Sequence, residues 1–166
     1  SLADVYVCTD SEKIRQAVLD HGGKVIMTRS DHTNGTERIA EVAQELDADY
    51  FVDIQGDEPL INPKHIDEVV AEHAKHPEWD ILLPSLPISH PESLHIVKLV
   101  HDSSMRVIYL SRSVIPQPFR RRSDYYLKHL SIISFRPNAL QRFASLPPSE
   151  LETIESVELL RALENG

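Results

Sequence analysis

One cysteine, Cys8, is all the 166-residue sequence contains, so no disulfide can form within the chain. That scarcity fits a reducing compartment, and the expected location is the cytoplasm. No apolar run approaches the roughly 18 residues needed to span a bilayer, and none follows a basic N-terminal stretch as in a signal peptide. No membrane partner is therefore expected. Basic residues are also scarce: 17 Lys and Arg face 26 Asp and Glu, for a formal net charge of −9. Phosphate contacts along DNA or RNA need a basic surface, which argues against a nucleic-acid partner. Anionic small molecules stay within reach of a local cation cluster such as Arg120, Arg121 and Arg122, or of a bound Mg²⁺. With five glycines against 11 prolines, stiff connections are expected. Neither G-x-G-x-x-G nor G-x-x-x-x-G-K-[ST] occurs, so the two glycine-rich phosphate loops those patterns mark are excluded. The nine histidines show no H-E-x-x-H or comparable metal spacing. Cys8 falls in an apolar strand-like run, where a thiol is inert.

What is present reads as an ordinary globular chain, 41% apolar and 26% charged. Its length suits one domain with a substantial core, and no repeat or linker divides it, so residues 1–166 are expected to form a single domain. A strand is expected at Val5–Cys8. Ser11 then caps a helix with Ile14, Ala17 and Val18 on one face, closed by Gly22-Gly23. Lys24–Met27 reads as a second strand. Asn34, with Glu37 three residues on, resembles a capping arrangement. The helix behind it offers Ile39, Val42, Ala43 and Leu46 at helical spacing. Tyr50–Ile54 reads as a third strand and runs into Gln55-Gly56-Asp57-Glu58-Pro59. Asn62 and Pro63 then open a helix with Ile66, Val69, Val70 and Ala74 inward. Residues 80–87 read as one further strand.

This alternation argues for an α/β fold with a mostly parallel sheet and helices on both faces. Beyond it, Val97–Val100, Val107–Leu110 and Leu130–Phe135 read as strands without long helices between them, an antiparallel extension. A short helix is expected from Pro137. A last one is expected over Glu150–Glu164, with Ile154, Val157, Leu160 and Leu163 inward.

Several residues could carry chemistry. Asp57 and Glu58 follow the carboxyl end of a strand, the edge where open α/β sheets bind ligands. A carboxylate there is placed to hold Mg²⁺, or it is a solvated turn. The polar run His32 to Arg38 ends in a helix N-terminus, suited to an anion or the edge of a base, or it is a plain capped helix. Arg112 is a carboxylate fork if it faces a cleft, and a surface ion pair otherwise. His129 is a lone histidine at a strand, a type more often structural than catalytic. Glu152, Glu155 and Glu158 recur along an expected exposed helix face.

Taken together, several stretches resemble the 3-deoxy-manno-octulosonate cytidylyltransferase family, the CMP-Kdo synthetases. They include Val7-Cys8-Thr9-Asp10, the H-x-x-G-T-E-R run from His32 to Arg38, Gln55 to Ile61, Tyr109 to Ser113, Lys128-His129-Leu130, Leu146 to Ser149 and Leu160 to Glu164. The resemblance implies a Rossmann-like nucleotidyltransferase sheet and a Mg²⁺-dependent reaction of CTP with an acidic sugar. It implies Asp57 as the metal ligand, with Asp57 and Gln55 catalytic. It implies Gly35, Thr36 and Arg38 at the nucleotide, and Gln55, Arg112, His129 and Glu155 at the sugar acid. It also implies a homodimer, and an internal piece of a longer domain that lacks the basic triphosphate loop and a second metal-binding Asp. Leu159 stands where the family usually has Gln, and Ser131 and Ser134 where it has Gly and an aromatic. A relative acting on another base or sugar, and a non-catalytic binding module, are the alternatives.

Overall fold

A computed structural model describes residues 4–166. In chain order the elements are β1 (Tyr6–Thr9), α1 (Glu12–Asp20), β2 (Lys24–Met27), α2 (Gly35–Ala43), β3 (Phe51–Ile54), α3 (Pro63–Lys75), β4 (Ile81–Leu82) and β5 (Ser85–Ile88). They continue with β6 (Lys98–His101), β7 (Val107–Ser111), β8 (Tyr126–His129), β9 (Ile132–Phe135), α4 (Pro137–Ser145), α5 (Glu150–Glu155) and α6 (Leu160–Glu164). The chain divides into two compact units. The first runs to Leu82 and takes in Ile132–Ser145, and the second holds Leu83–Ser131 and Leu146–Gly166.

In the first unit the helix starts follow local chemistry. Ser11 accepts the N–H of Ile14, Asn34 that of Glu37, and Asn62 that of Lys64, with Pro63 in the first turn of α3. α1 ends where Gly22 takes φ +74°, and a Cβ on Gly23 would stand 2.7 Å from Val18 Cγ1. β1 and β2 pair in parallel. β3 and β4 both flank β9 and run antiparallel to it. Ile66, Val69 and Ile132 form a core against which Val52, Ile54, Ile61 and Leu82 pack. Each such aliphatic side chain, fully buried, contributes about 1.5–3 kcal/mol. His73 is buried in α3, its Nδ1 2.8 Å from Ser134 Oγ and its Nε2 2.9 Å from the Trp79 carbonyl. A carbonyl only accepts, so Nε2 donates and the neutral ring takes the Ser134 hydroxyl proton at Nδ1. Burial, the largest influence, pushes this imidazole below its usual range.

The second unit is built on a four-stranded sheet, β5-β8-β6-β7, antiparallel throughout. Leu99, Leu110, Val157, Leu159 and Leu160 are its buried apolar residues, with Tyr126. Arg161, wholly buried, grips the Glu152 carboxylate with Nε and Nη2 at 2.8 and 2.7 Å, while Nη1 donates to the Leu146 carbonyl. Glu152 also closes a capping box with Ser149.

The structure corrects four expectations. Five of the six described strand pairings are antiparallel, so the sheet is not mostly parallel. β3 and β4 do share a direction, as strand–helix alternation requires, but β9 lies between them and reverses both pairings. The single strand over residues 80–87 is two, β4 and β5, parted at Leu83-Pro84. The final helix is also two. Ser156 takes a left-handed conformation (φ 51°, ψ 50°) after α5, and Ile154, expected inward, is 70% exposed. α1 buries no residue, and in α3 His73 is buried while Ala74 is exposed.

Candidate active site

In the first unit the H-x-x-G-T-E-R run is held rigid by its own side chains. Glu37 accepts from the Thr33 N–H and hydroxyl, both at 2.9 Å, while its N–H is capped by Asn34 at 2.8 Å. His32, with a nearly buried ring, bonds through Nε2 to Glu41, which also pairs with Arg29. The His32 contact, aided by Arg29, holds the Glu41 carboxyl below its usual range. Arg38 reaches back to Thr28 Oγ1 at 2.5 Å and the Arg29 carbonyl at 3.2 Å, with Asp10 3.6 Å away. Gly35 and Thr36 occupy the first two positions of α2, the positive end of the helix dipole. Thr36 is fully buried, so its side chain supports the turn and the exposed Gly35 backbone faces solvent.

Asp53 is a buried carboxylate near the start of α2 that sequence reasoning passed over. It is buried on β3, and its Oδ2 would lie 3.6 Å from a Cβ on Gly35, a carboxylate beside a helix N-terminus. Its only signal was an acidic residue inside an otherwise apolar strand. Burial, with the Asp53 charge, raises the Cys8 thiol, which leaves it protonated and unreactive.

β3 ends directly at Gln55, and the chain turns twice, Glu58 N–H bonding to the Gln55 carbonyl and Ile61 N–H to that of Glu58. Gln55 is half-buried and Asp57 exposed. Among the described residues no hydrogen bond or ion pair engages the Asp57 carboxylate, so its oxygens are open to a hard cation. No group of three or more His, Cys, Asp or Glu side chains clusters for a metal among the described residues. Asp57 is thus a single open carboxylate, and Mg²⁺ is commonly bound through one or two carboxylates together with substrate phosphates. A cavity of about 330 Å³ beside α2 is lined by Arg29, His32, Glu37, Glu41 and Gln44, which include two members of the His32–Arg38 run but none of Gly35, Thr36, Arg38, Gln55 or Asp57.

In the second unit Arg112 and Glu155 come together. The Glu155 carboxylate accepts from Ser111 Oγ at 2.7 Å, the Arg112 N–H at 2.9 Å and Tyr109 OH at 3.4 Å. Burial pushes its pKa up, but these donors outweigh burial and hold it below the usual range. Glu155 is thus anchored, not part of an exposed acidic helix face. The Arg112 guanidinium donates to the Glu155, Leu94 and Ser156 carbonyls at 2.9, 3.1 and 2.9 Å. The helix break at Ser156 leaves those C-terminal carbonyls to be satisfied, and a cation is their natural partner. Three of five N–H groups are used. The remaining two sit one on each Nη, where a carboxylate can take both.

His129 ends β8, its Nδ1 buried without a hydrogen-bond partner. Burial above all, then the Lys128 charge, lowers its pKa to about 4, so the ring is neutral near pH 7. Lys98 was missed entirely. It is fully buried in β6, its ammonium bonded to the carbonyls of Ser93 (2.9 Å), Ile96 (2.7 Å) and Arg112. Its signal was a lysine amid the apolar run Val97–Val100.

The cytidylyltransferase family model matches residues 1–166. The 3-deoxy-manno-octulosonate cytidylyltransferases of Leptospira interrogans, Escherichia coli and Pelodictyon phaeoclathratiforme are 42%, 38% and 45% identical to the chain. The alignments cover 98–99% of this chain and 68% of each relative. A solved structure of CMP:2-keto-3-deoxy-manno-octonic acid synthetase complexed with CTP superposes with a TM-score of 0.93 at 37% identity, over 99% of this chain and 69% of that one. The chain therefore has an α/β nucleotidyltransferase fold and belongs to the cytidylyltransferase family, alongside the 3-deoxy-manno-octulosonate cytidylyltransferases.

Proposed function

We propose that this protein transfers CMP from CTP to 3-deoxy-manno-octulosonate, releasing pyrophosphate. The observation that carries the reading is the likeness to a CTP-bound synthetase along 99% of the chain. In the reaction the anomeric hydroxyl of the sugar bonds to the α-phosphorus, the bond to the β-phosphate oxygen breaks, and the hydroxyl proton is lost. Asp57 would hold Mg²⁺, and the chemistry that ion would supply is positive charge beside the phosphate oxygens. The first unit handles the nucleotide. Gly35 and Thr36 offer the positive end of α2, and Arg38, braced by Thr28 and Asp10, adds a cation. Gln55 presents its amide at the end of β3.

The second unit handles the sugar acid. Arg112 presents its two remaining N–H groups to the carboxylate. His129, neutral, is the further residue assigned to the sugar side on family resemblance. Glu155, already holding three donors, serves by fixing Arg112 and Ser111.

Full-length protein mixed with CTP, Mg²⁺ and the sugar acid should release pyrophosphate, and no release with any ulosonic acid would overturn the reading. Asp57→Asn should abolish turnover with the fold intact, and retained turnover would remove the metal role. A homodimer is part of the proposal. Leu86, Ile108, Phe119 and Tyr125 of the second unit are exposed by 48–92%, the apolar surface a second copy would cover. Light scattering showing monomer alone would remove it. A cytoplasmic location is proposed on the single cysteine; no helix among the described residues is long and apolar enough to cross a membrane.

A further inference from the structure

Lys98 sits where a lysine is costly. It lies in the middle of the four-stranded sheet, paired to Ser111 on one side and Lys128 on the other, with no exposed surface. An ammonium has three donors, and all three are spent on backbone carbonyls, of Ser93, Ile96 and Arg112. Among the described residues no carboxylate bonds to it, and the Glu155 charge favours the ammonium only from beyond bonding distance. A buried cation held only by carbonyls is an expensive way to stabilise a loop, because desolvation opposes the charge. An apolar residue is the ordinary occupant of a buried sheet position.

The three carbonyls identify what Lys98 gains. Two belong to the segment before β6 that carries Leu94, whose own carbonyl accepts from Arg112. The third is the carbonyl of Arg112 itself. Arg112 is thereby gripped at both ends. Its carbonyl is held by Lys98 and its N–H by Glu155, while its guanidinium is held by Leu94, Glu155 and Ser156. The formal charges point the same way. Lys98 and Arg112 bring two positive charges and Glu155 one negative, so the cluster keeps one positive charge, which a bound carboxylate would neutralise.

We infer that Lys98 is a positioning residue for the sugar-acid subsite: its ammonium ties the 93–96 segment to the Arg112 backbone so that the two remaining guanidinium N–H groups are held for the substrate carboxylate. The inference rests on the reading that Arg112 takes that carboxylate. Burial, and then the Arg112 charge, hold the Lys98 pKa below its usual value, in line with a cation kept against a desolvation cost.

The experiment uses the full-length enzyme and measures KM for the sugar acid and for CTP separately by pyrophosphate release. Lys98→Gln should raise the sugar-acid KM roughly tenfold or more, a loss of about 1.4 kcal/mol, and leave the CTP KM within about twofold. Arg112→Ala should raise the sugar-acid KM by at least as much. In the double variant the Lys98 substitution should add little, because its effect runs through Arg112. Equal rises in both KM values, or full additivity in the double variant, would overturn the inference while leaving Arg112 in place. An unchanged sugar-acid KM in Arg112→Ala would instead overturn the Arg112 reading, and the inference with it. Should Lys98→Gln fail to fold, Lys98→Arg keeps donors and charge and should shift the sugar-acid KM alone. A CTP KM that moves in step with it would refute the role.

Discussion

Mild acid should weaken this protein through one histidine. His129 has its folded pKa lowered to about 4, against an ordinary value of 6.5. The folded state thus binds the proton less readily than the unfolded chain. The stability this contributes is whole above about pH 6.5 and is lost as pH falls toward about 4. A shift of that size is worth about 3 kcal/mol in full, of which about 2 kcal/mol is lost between pH 7 and pH 5. His73 is lowered in the same direction, so the wild-type slope alone does not isolate His129. The variant His129→Gln removes the titrating group and keeps a polar side chain. Urea unfolding of both proteins at about pH 7, 6 and 5 gives the comparison, with wild type losing about 2 kcal/mol more than the variant over that range. Circular dichroism is the right probe, since the single tryptophan, Trp79, reports on the other unit. Parallel curves for the two proteins would show that the ring is solvated and that burial has no hold on its titration.

Three further substitutions follow from buried geometry, each checked by chemical denaturation. Arg161→Met leaves the Glu152 carboxylate without its bidentate partner and should cost about 3–5 kcal/mol, much of it recovered by adding Glu152→Leu. Ser134→Ala strips the donor from His73 Nδ1 and should cost about 1–3 kcal/mol. Gly23→Ala drives a methyl to within 2.7 Å of Val18 Cγ1, on a side chain stiff at χ1, and should cost about 1–3 kcal/mol.

Local chemistry was legible in the sequence and long-range chemistry was not. Ser11, Asn34 and Asn62 cap helices because a side-chain oxygen reaches an N–H two or three residues away, and such reach is visible in spacing. The break at Ser156 was hidden because no glycine marks it. What compensates the left-handed turn is the set of partners that Arg112 and Ser111 provide more than 40 residues away in sequence. β5 was merged into β4 because Pro84 and Pro87 obscure a strand. Pro87 is tolerated there because β5 lies at the sheet edge. His73 took a place that helical spacing assigned to apolar side chains, since Ser134 and the Trp79 carbonyl satisfy its ring. That pairing also gives the serine at 134, a departure from the aromatic usual in the resembled family, a partner. Of the proposed site residues, Asp57 was named from its place after a strand, and Gln55, Arg112 and His129 took their roles from the family resemblance. The saturation of Glu155, the burial of Thr36 and the hold of Lys98 on Arg112 were not legible, because each depends on partners distant in sequence.

The pairing of β3 with β9 sets a schedule for synthesis. Phe51 pairs with Phe135, so β3 leaves the ribosome about 80 residues ahead of its only described strand partner. At roughly 5–20 residues per second that is a wait of about 4–16 s. During it the Phe51–Ile54 edge, which leads straight into Gln55 and Asp57, has no strand of the described residues to join, while every described strand of the second unit is translated before β9. Among the described strands, the one that leads into the proposed metal ligand therefore waits longest for its partner and is the most open to mispairing or to a chaperone.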